Sequence, residues 1–217
     1  MGFTKAQLAT YADASVPDLV GRDPRLVFVG INPGLWTAAV QTHFARPGNR
    51  FYPALQLAGI IDRTIDPATG LTDDDRVYWL ARGLANTNLV NRATARADEL
   101  HPDELRAGRA RLEAFVERHR PRVVAVAGIT AYRTAFAEPK ASTGEQAHGI
   151  GPEGARARLW VVPNPSGLNA HDTVASLAAA YAEPARAAGL LPDAQLRARA
   201  PAPPGRDLST VERTPGD

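Results

Sequence analysis

Val123-Val124-Ala125-Val126-Ala127 carries no polar side chain on either face of a strand. Successive strand residues point to opposite sides, so such a run must be buried on both, as in a parallel sheet covered by helices. Leu26-Val27-Phe28-Val29 and Leu159-Trp160-Val161-Val162 read the same way. Leu84–Val90 is a fourth candidate, polar for a core strand at Asn86, Thr87 and Asn88. Strands are therefore expected over about 25–31, 84–90, 122–127 and 158–163. Helical patterns fall around and between them, over about 5–11, 50–58, 72–82, 102–118, 129–137 and 173–188. Asn49 and Thr72 are N-cap candidates, and Pro102 opens the longest helix with Asp103 and Glu104 in its first turn. On that helix Leu105, Leu112, Phe115 and Val116 share one face, which leaves its arginines for the other. Residues 138–157 are rich in Gly, Pro and polar residues and read as a loop. This alternation predicts an α/β fold, a three-layer αβα sandwich around a central, mostly parallel sheet. Residues 1–190 are expected to form one domain, and 191–217 a disordered tail rich in Pro, Ala and Arg.

Composition narrows the chemistry. The 217 residues, 44% of them hydrophobic, can bury one substantial core. Cysteine is absent, which removes disulfides, thiolate zinc sites and iron–sulfur clusters and fits a reducing cytoplasm. No segment approaches the roughly 20 apolar residues of a membrane span, and Met1–Ala6 lacks the apolar stretch of a signal peptide. Five scattered histidines (His43, His101, His119, His148, His171) have no metal-binding spacing, and no phosphate-binding or dinucleotide fingerprint occurs. Neither a metal nor a cofactor is expected. A net charge of +2 with a pI near 9.2 permits a nucleic-acid partner without demanding one.

Two loops follow apolar strands: Gly30-Ile31-Asn32-Pro33-Gly34 and Asn164-Pro165-Ser166-Gly167-Leu168. Open α/β folds place their ligand crevice at the carboxyl ends of strands, so both loops can face one cleft. In the first, the glycines allow close backbone approach, and Pro33 holds Asn32 extended at the strand end. An amide cannot act as a strong base, but its oxygen and NH₂ can bind and orient a water. Asn beside Pro and Gly also serves simply to stabilise turns. In the second loop Leu168 is either a core anchor or an apolar wedge of the kind that parts DNA base steps.

The two loops, with the blocks between them, resemble the mismatch-specific uracil/thymine DNA glycosylases of the uracil-DNA glycosylase superfamily. The resemblance runs through Val27–Leu35, His43-Phe44-Ala45-Arg46-Pro47-Gly48-Asn49-Arg50-Phe51-Tyr52, Gly83–Thr94, Glu99–Leu112 and Pro163–Leu168, in order. It implies a uracil-DNA glycosylase-like fold and hydrolysis of the N-glycosidic bond of uracil, thymine or modified pyrimidines mispaired with guanine in double-stranded DNA. It assigns Asn32 as the catalytic, water-positioning residue. Ile31, Thr37, His43, Phe44 and Asn88 then belong to the base pocket, with Phe44 stacking on the base or packing in the core. Asn164, Ser166, Gly167 and Leu168 become the DNA wedge and backbone contacts. Two departures stand out. Ala170, followed by His171, occupies the place where many members carry an Arg behind the wedge, and Thr37 and Asn88 occupy positions that vary with substrate breadth. A bacterial cytosolic monomer acting on duplex DNA is the resulting expectation. A damage binder that hydrolyses poorly and a small-molecule α/β hydrolase are the competing readings.

Overall fold

The computed structural model describes residues 2–167 and 171–192. Its elements in chain order are α1 (Lys5–Ala9), β1 (Leu26–Gly30), α2 (Leu35–Val40), α3 (Phe51–Leu57), α4 (Asp73–Ala81) and β2 (Leu84–Asn88). They continue with α5 (Pro102–His119), β3 (Val123–Ala127), α6 (Ile129–Phe136), β4 (Gly144–Glu145), β5 (Arg158–Val162) and α7 (Val174–Ala187). The sheet order is β2-β1-β3-β5-β4, with β1, β2, β3 and β5 parallel and β4 antiparallel at one edge.

Strict alternation along the strands divides the core into two layers. Leu26, Phe28, Val123, Ala125 and Val162 face α3, α4 and α7, where Phe51, Leu55, Trp79 and Tyr181 complete the packing. Val27, Val29, Val124, Val126 and Val161 face α5 and α6, against Leu112, Phe115, Tyr132 and Phe136. β1, β2 and β3 are buried throughout, as parallel strands covered on both faces must be.

The start of α4 follows its sequence cue. Thr72 caps α4 through the Asp75 amide, and three aspartates fill the first turn. At α3 the expectation is corrected: the N-cap position falls on Arg50, which has no side-chain cap, and Asn49 stands one residue earlier, accepting from the Phe51 amide at 2.9 Å. Two elements were not expected. The six-residue α2 starts from Gly34 without a side-chain cap, and β4 lies inside 138–157, the stretch read as a loop. The expected tail lies, from residue 193 on, outside the described residues, as do Leu168 and Ala170.

The strand order reverses at β1: the chain leaves it for β2 on one side and returns to β3 on the other. A parallel sheet opens a crevice at such a switch point, beyond the carboxyl ends of its strands. The loops after β1, β3 and β5 all leave from that edge.

Candidate active site

Beyond β1 and β2 the two chains stay paired. The amides of Leu89, Val90 and Thr94 donate to the carbonyls of Gly30, Ile31 and Pro33 at 2.9, 3.0 and 3.1 Å. This pairing brings Arg92 and Thr94 to Asn32. Asn32 Nδ2 donates to the Arg92 carbonyl at 2.9 Å and to Thr94 Oγ1 at 2.7 Å. The partners fix which way the amide faces. A carbonyl can only accept, and the Thr94 hydroxyl proton already goes to the Arg96 carbonyl at 2.7 Å. Both Asn32 N–H bonds are therefore engaged, and among the described residues Oδ1 takes no hydrogen bond. A partly exposed acceptor is left at a fixed place in the crevice.

Arg92 is itself anchored. Its guanidinium makes a bidentate pair with Glu104 at 2.8 and 2.9 Å and a further bond to Asp13 at 2.9 Å. Glu104 also accepts from the His101 amide at 2.8 Å, closing the capping box of α5. The Arg92 hydrogen bonds, helped by that amide, pull the Glu104 carboxyl down to about 2. The start of α5 thus holds the segment that holds Asn32.

Two residues before Asn32, the end of β1 carries two further side chains. A Cβ added to Gly30 would lie 2.5 Å from Asn88 Oδ1 and 3.5 Å from Phe44 Cζ, so only glycine admits both side chains over the end of β1. Phe44 adopts φ +58°, a left-handed conformation costly for an aromatic residue. Its partly exposed ring stacks on buried Phe51, centroids 4.0 Å apart and planes 25° apart. The Tyr52 hydroxyl donates to the His43 carbonyl at 3.1 Å, fixing the chain just before that turn. Phe44 thus packs on the core and remains partly exposed over the end of β1.

His43 is buried, and burial lowers its pKa. Its Nε2 meets the Pro17 carbonyl at 3.1 Å, and a carbonyl cannot donate, so the neutral ring carries its proton there. Nδ1 is then the acceptor that Asn88 Nδ2 approaches at 3.4 Å. Thr37 is buried in α2, and among the described residues no hydrogen bond joins its side chain to His43 or Asn88. A cavity of about 150 Å³ borders His43 together with Pro17, Asp18, Thr42 and Arg76, but none of Asn32, Phe44 or Asn88 lines it.

The loop after β5 is built as a rigid turn. Asn164 Oδ1 accepts from the Ser166 amide at 3.0 Å, an Asx turn. The Arg50 amide donates to the Pro165 carbonyl at 3.0 Å, its Nη2 to the Ser166 carbonyl at 2.6 Å, and its Nη1 to the Asp172 carbonyl. Gly167 lies so close to Gly48 that an added Cβ would sit 2.9 Å from the Gly48 carbonyl oxygen. The Tyr181 hydroxyl donates to the Pro163 carbonyl at 3.0 Å. Gly128, at φ +129° after β3, joins the two loops: a Cβ there would be 3.2 Å from Ile31 Cδ1 and 3.9 Å from Asn164 Cβ. The loops after β1 and β5 therefore meet over one glycine.

A family model, the uracil DNA glycosylase superfamily, matches residues 17–184. That span contains the whole parallel sheet and every cleft residue described above. The chain belongs to the uracil DNA glycosylase superfamily. Among solved structures it is similar to the solution NMR structure of "a putative Uracil DNA glycosylase from Methanosarcina acetivorans", with a TM-score of 0.50 and 12% identity over 78% of this chain and 95% of that one. At that identity the likeness speaks to the fold: a mixed α/β architecture with a mostly parallel five-stranded sheet, as in uracil DNA glycosylases.

Of the residues singled out in the sequence, Asn88 meets His43 and stands with Phe44 over the end of β1, while Ile31 and Asn164 flank Gly128. Leu168 lies outside the described residues, and His171 is exposed. Sequence reading gave no role to Thr94, to the Arg92 carbonyl or to Arg50, although all three stand in the blocks that carried the resemblance. The pairing of 89–94 with 30–33 was the missing signal. Among the described residues no three His, Asp or Glu side chains gather as a metal ion would require, and no helix is long and apolar enough to cross a membrane.

Proposed function

We propose that the cleft hydrolyses the N-glycosidic bond of uracil mispaired with guanine in double-stranded DNA, leaving an abasic site. Thymine and modified pyrimidines opposite guanine are the further substrates of this reading. The observation that carries it is the Asn32 amide, held by Arg92 and Thr94 so that Oδ1 alone faces the crevice. A water donating one proton to that oxygen keeps a lone pair for attack on the sugar carbon. Because an amide cannot remove the proton, the water attacks late, after the base has begun to leave with the bonding electrons, and the surplus proton of the new hydroxyl passes to the departing base anion or to solvent. Catalysis is then mostly positioning and electrostatic support of the leaving anion. The Asn88 amide and the Phe44 ring, at the end of β1, are the groups placed to bind and stack the extruded base.

On the same reading the turn after β5 meets the duplex. Ser166 contacts a phosphate, and Gly167 with Leu168 fills the gap left by the flipped nucleotide. No lysine stands in either loop, so the reaction is simple hydrolysis, without a Schiff-base step. One observation favours a second reading, a DNA-damage binder with little turnover: the group at the strand end is an amide, which, unlike a carboxylate, can neither deprotonate water nor support positive charge.

The direct test is a glycosylase panel. Duplexes carrying U·G, U·A, T·G and ethenocytosine·G pairs, and single-stranded uracil DNA, are incubated with the protein and cleaved at abasic sites with alkali. Excision is expected to be fastest from U·G. The absence of abasic sites in every uracil-containing substrate contradicts the proposal. Thr94→Val refines the test, since it removes one acceptor from Asn32 Nδ2 while keeping side-chain shape. Loss of about one such hydrogen bond predicts a roughly tenfold slower single-turnover excision with unchanged duplex affinity. An unchanged rate would mean that the amide needs no such hold.

A further inference from the structure

β2 is an edge strand, and its outer side is covered only in part. Leu19 pairs antiparallel with Asn86, amide to carbonyl at 2.9 and 2.8 Å in the two directions. That bridge sets Asp18 beside Thr87, whose hydroxyl donates to Asp18 Oδ1 at 2.6 Å. Arg111 reaches over from α5 and closes a ring. Its Nη2 donates to both Asp18 oxygens at 2.8 and 3.0 Å, and its Nη1 donates to Thr87 Oγ1 at 2.9 Å and to the Asn88 carbonyl at 2.5 Å. At Asn88 the guanidinium therefore does what a neighbouring strand would do. One residue before Asp18, the Pro17 carbonyl accepts from His43 Nε2.

Both polar pocket side chains thus hang on one device. Asn88 is fixed through its main chain by Arg111, and His43 through the residue preceding Asp18. The ion pair is not a strong source of stability, because the Arg111 and Asp18 side chains keep 33% and 26% of their exposure and pairs of this kind contribute little. Its geometry is specific all the same: a planar fork serves a carboxylate, a hydroxyl and a carbonyl at once, which an ammonium group cannot do. An arginine expected on the solvent face of α5 is instead turned toward the pocket strand.

We infer that Arg111 and Asp18 form a positioning clamp that sets base selectivity by fixing Asn88 and His43 relative to the extruded base. The inference rests on the glycosylase reading above. Neither residue touches the base; both act through the strand end and the Pro17 carbonyl.

The test uses Arg111→Met and, because it preserves side-chain size, Asp18→Asn in the full chain. Three quantities are measured: single-turnover excision from U·G and from the next-best mispair, affinity for a duplex holding an abasic-site analogue, and the ¹⁵N signals of the His43 imidazole. Displacement of the pocket side chains predicts excision about 10- to 100-fold slower on U·G. The clamp also predicts a smaller loss on the second mispair, so that the ratio narrows, with duplex affinity unchanged and the His43 ring no longer protonated solely at Nε2. Unchanged rates and ratio overturn the clamp. So does a loss equal for every base that follows thermal stability while the His43 signals stay as in wild type. If Arg111→Met does not fold, Asp18→Asn gives the same readings. A wild-type protein that excises no base counts against the glycosylase reading alone, and the imidazole signals still decide whether the clamp holds His43.

Discussion

Asn32→Ala is expected to slow base excision from a U·G duplex by about 10³-fold, the range seen when a group that positions or stabilises a reacting centre is removed. The size follows from what Asn32 does in the cleft. On the proposed reading its Oδ1 is the acceptor for the attacking water, with Nδ2 bound to the Arg92 carbonyl and Thr94 Oγ1. Alanine leaves water in the crevice but nothing to orient it. Duplex affinity should stay close to wild type, since the surfaces that grip DNA on this reading lie in the turn after β5 and around Phe44 and Asn88. The checks are single-turnover excision and binding to a duplex with a non-cleavable uracil nucleotide. Excision at close to the wild-type rate after the substitution would remove Asn32 from its catalytic role.

Gly30→Ala is expected to slow excision by about 10²-fold, in keeping with the cost of displacing a positioned group by an ångström or so. The added methyl meets Asn88 Oδ1 at 2.5 Å and Phe44 Cζ at 3.5 Å. Asn88 has little room to yield, being held by Arg111 at its carbonyl and facing His43 through its amide. Overpacking of this kind costs about 1–3 kcal/mol of stability. Gly30→Ala combined with Asn88→Ala gives the discriminating measurement. If the clash is with Asn88, the double variant recovers most of the lost melting temperature but not the excision rate, and the two substitutions are strongly non-additive in stability. Additive losses would place the strain elsewhere.

Much of the fold was legible because burial on both faces writes itself into composition. Val123–Ala127, Leu26–Val29 and Leu159–Val162 are apolar at odd and even positions alike, and all three are strands of the parallel sheet. Helices α4 and α5 announced themselves by Thr72 and Pro102 at their starts. Short elements left too little signal: α2 has six residues and begins at an uncapped Gly34, and β4 has two. The site was legible as loops and not as a network. The residues that orient Asn32 are 60 and 62 positions away, and the pairing past the ends of β1 and β2 that brings them close has no local pattern. Arg111 looked like a solvated helix arginine, because spacing along α5 shows which face it lies on but not that a long side chain folds back to an edge strand. The Asn164 side chain forms the Asx turn that shapes its loop, a local role that the Asn-Pro pair also signals in the sequence.

The most direct test of the glycosylase account is turnover with substrate in excess: a U·G duplex at many times the protein concentration, with abasic sites counted over time. Abasic sites are expected to keep accumulating beyond one per protein molecule, and about 10³-fold more slowly with Asn32→Ala. Tight, mispair-selective binding without any abasic product would contradict it and leave the cleft a reader of damaged DNA rather than an enzyme.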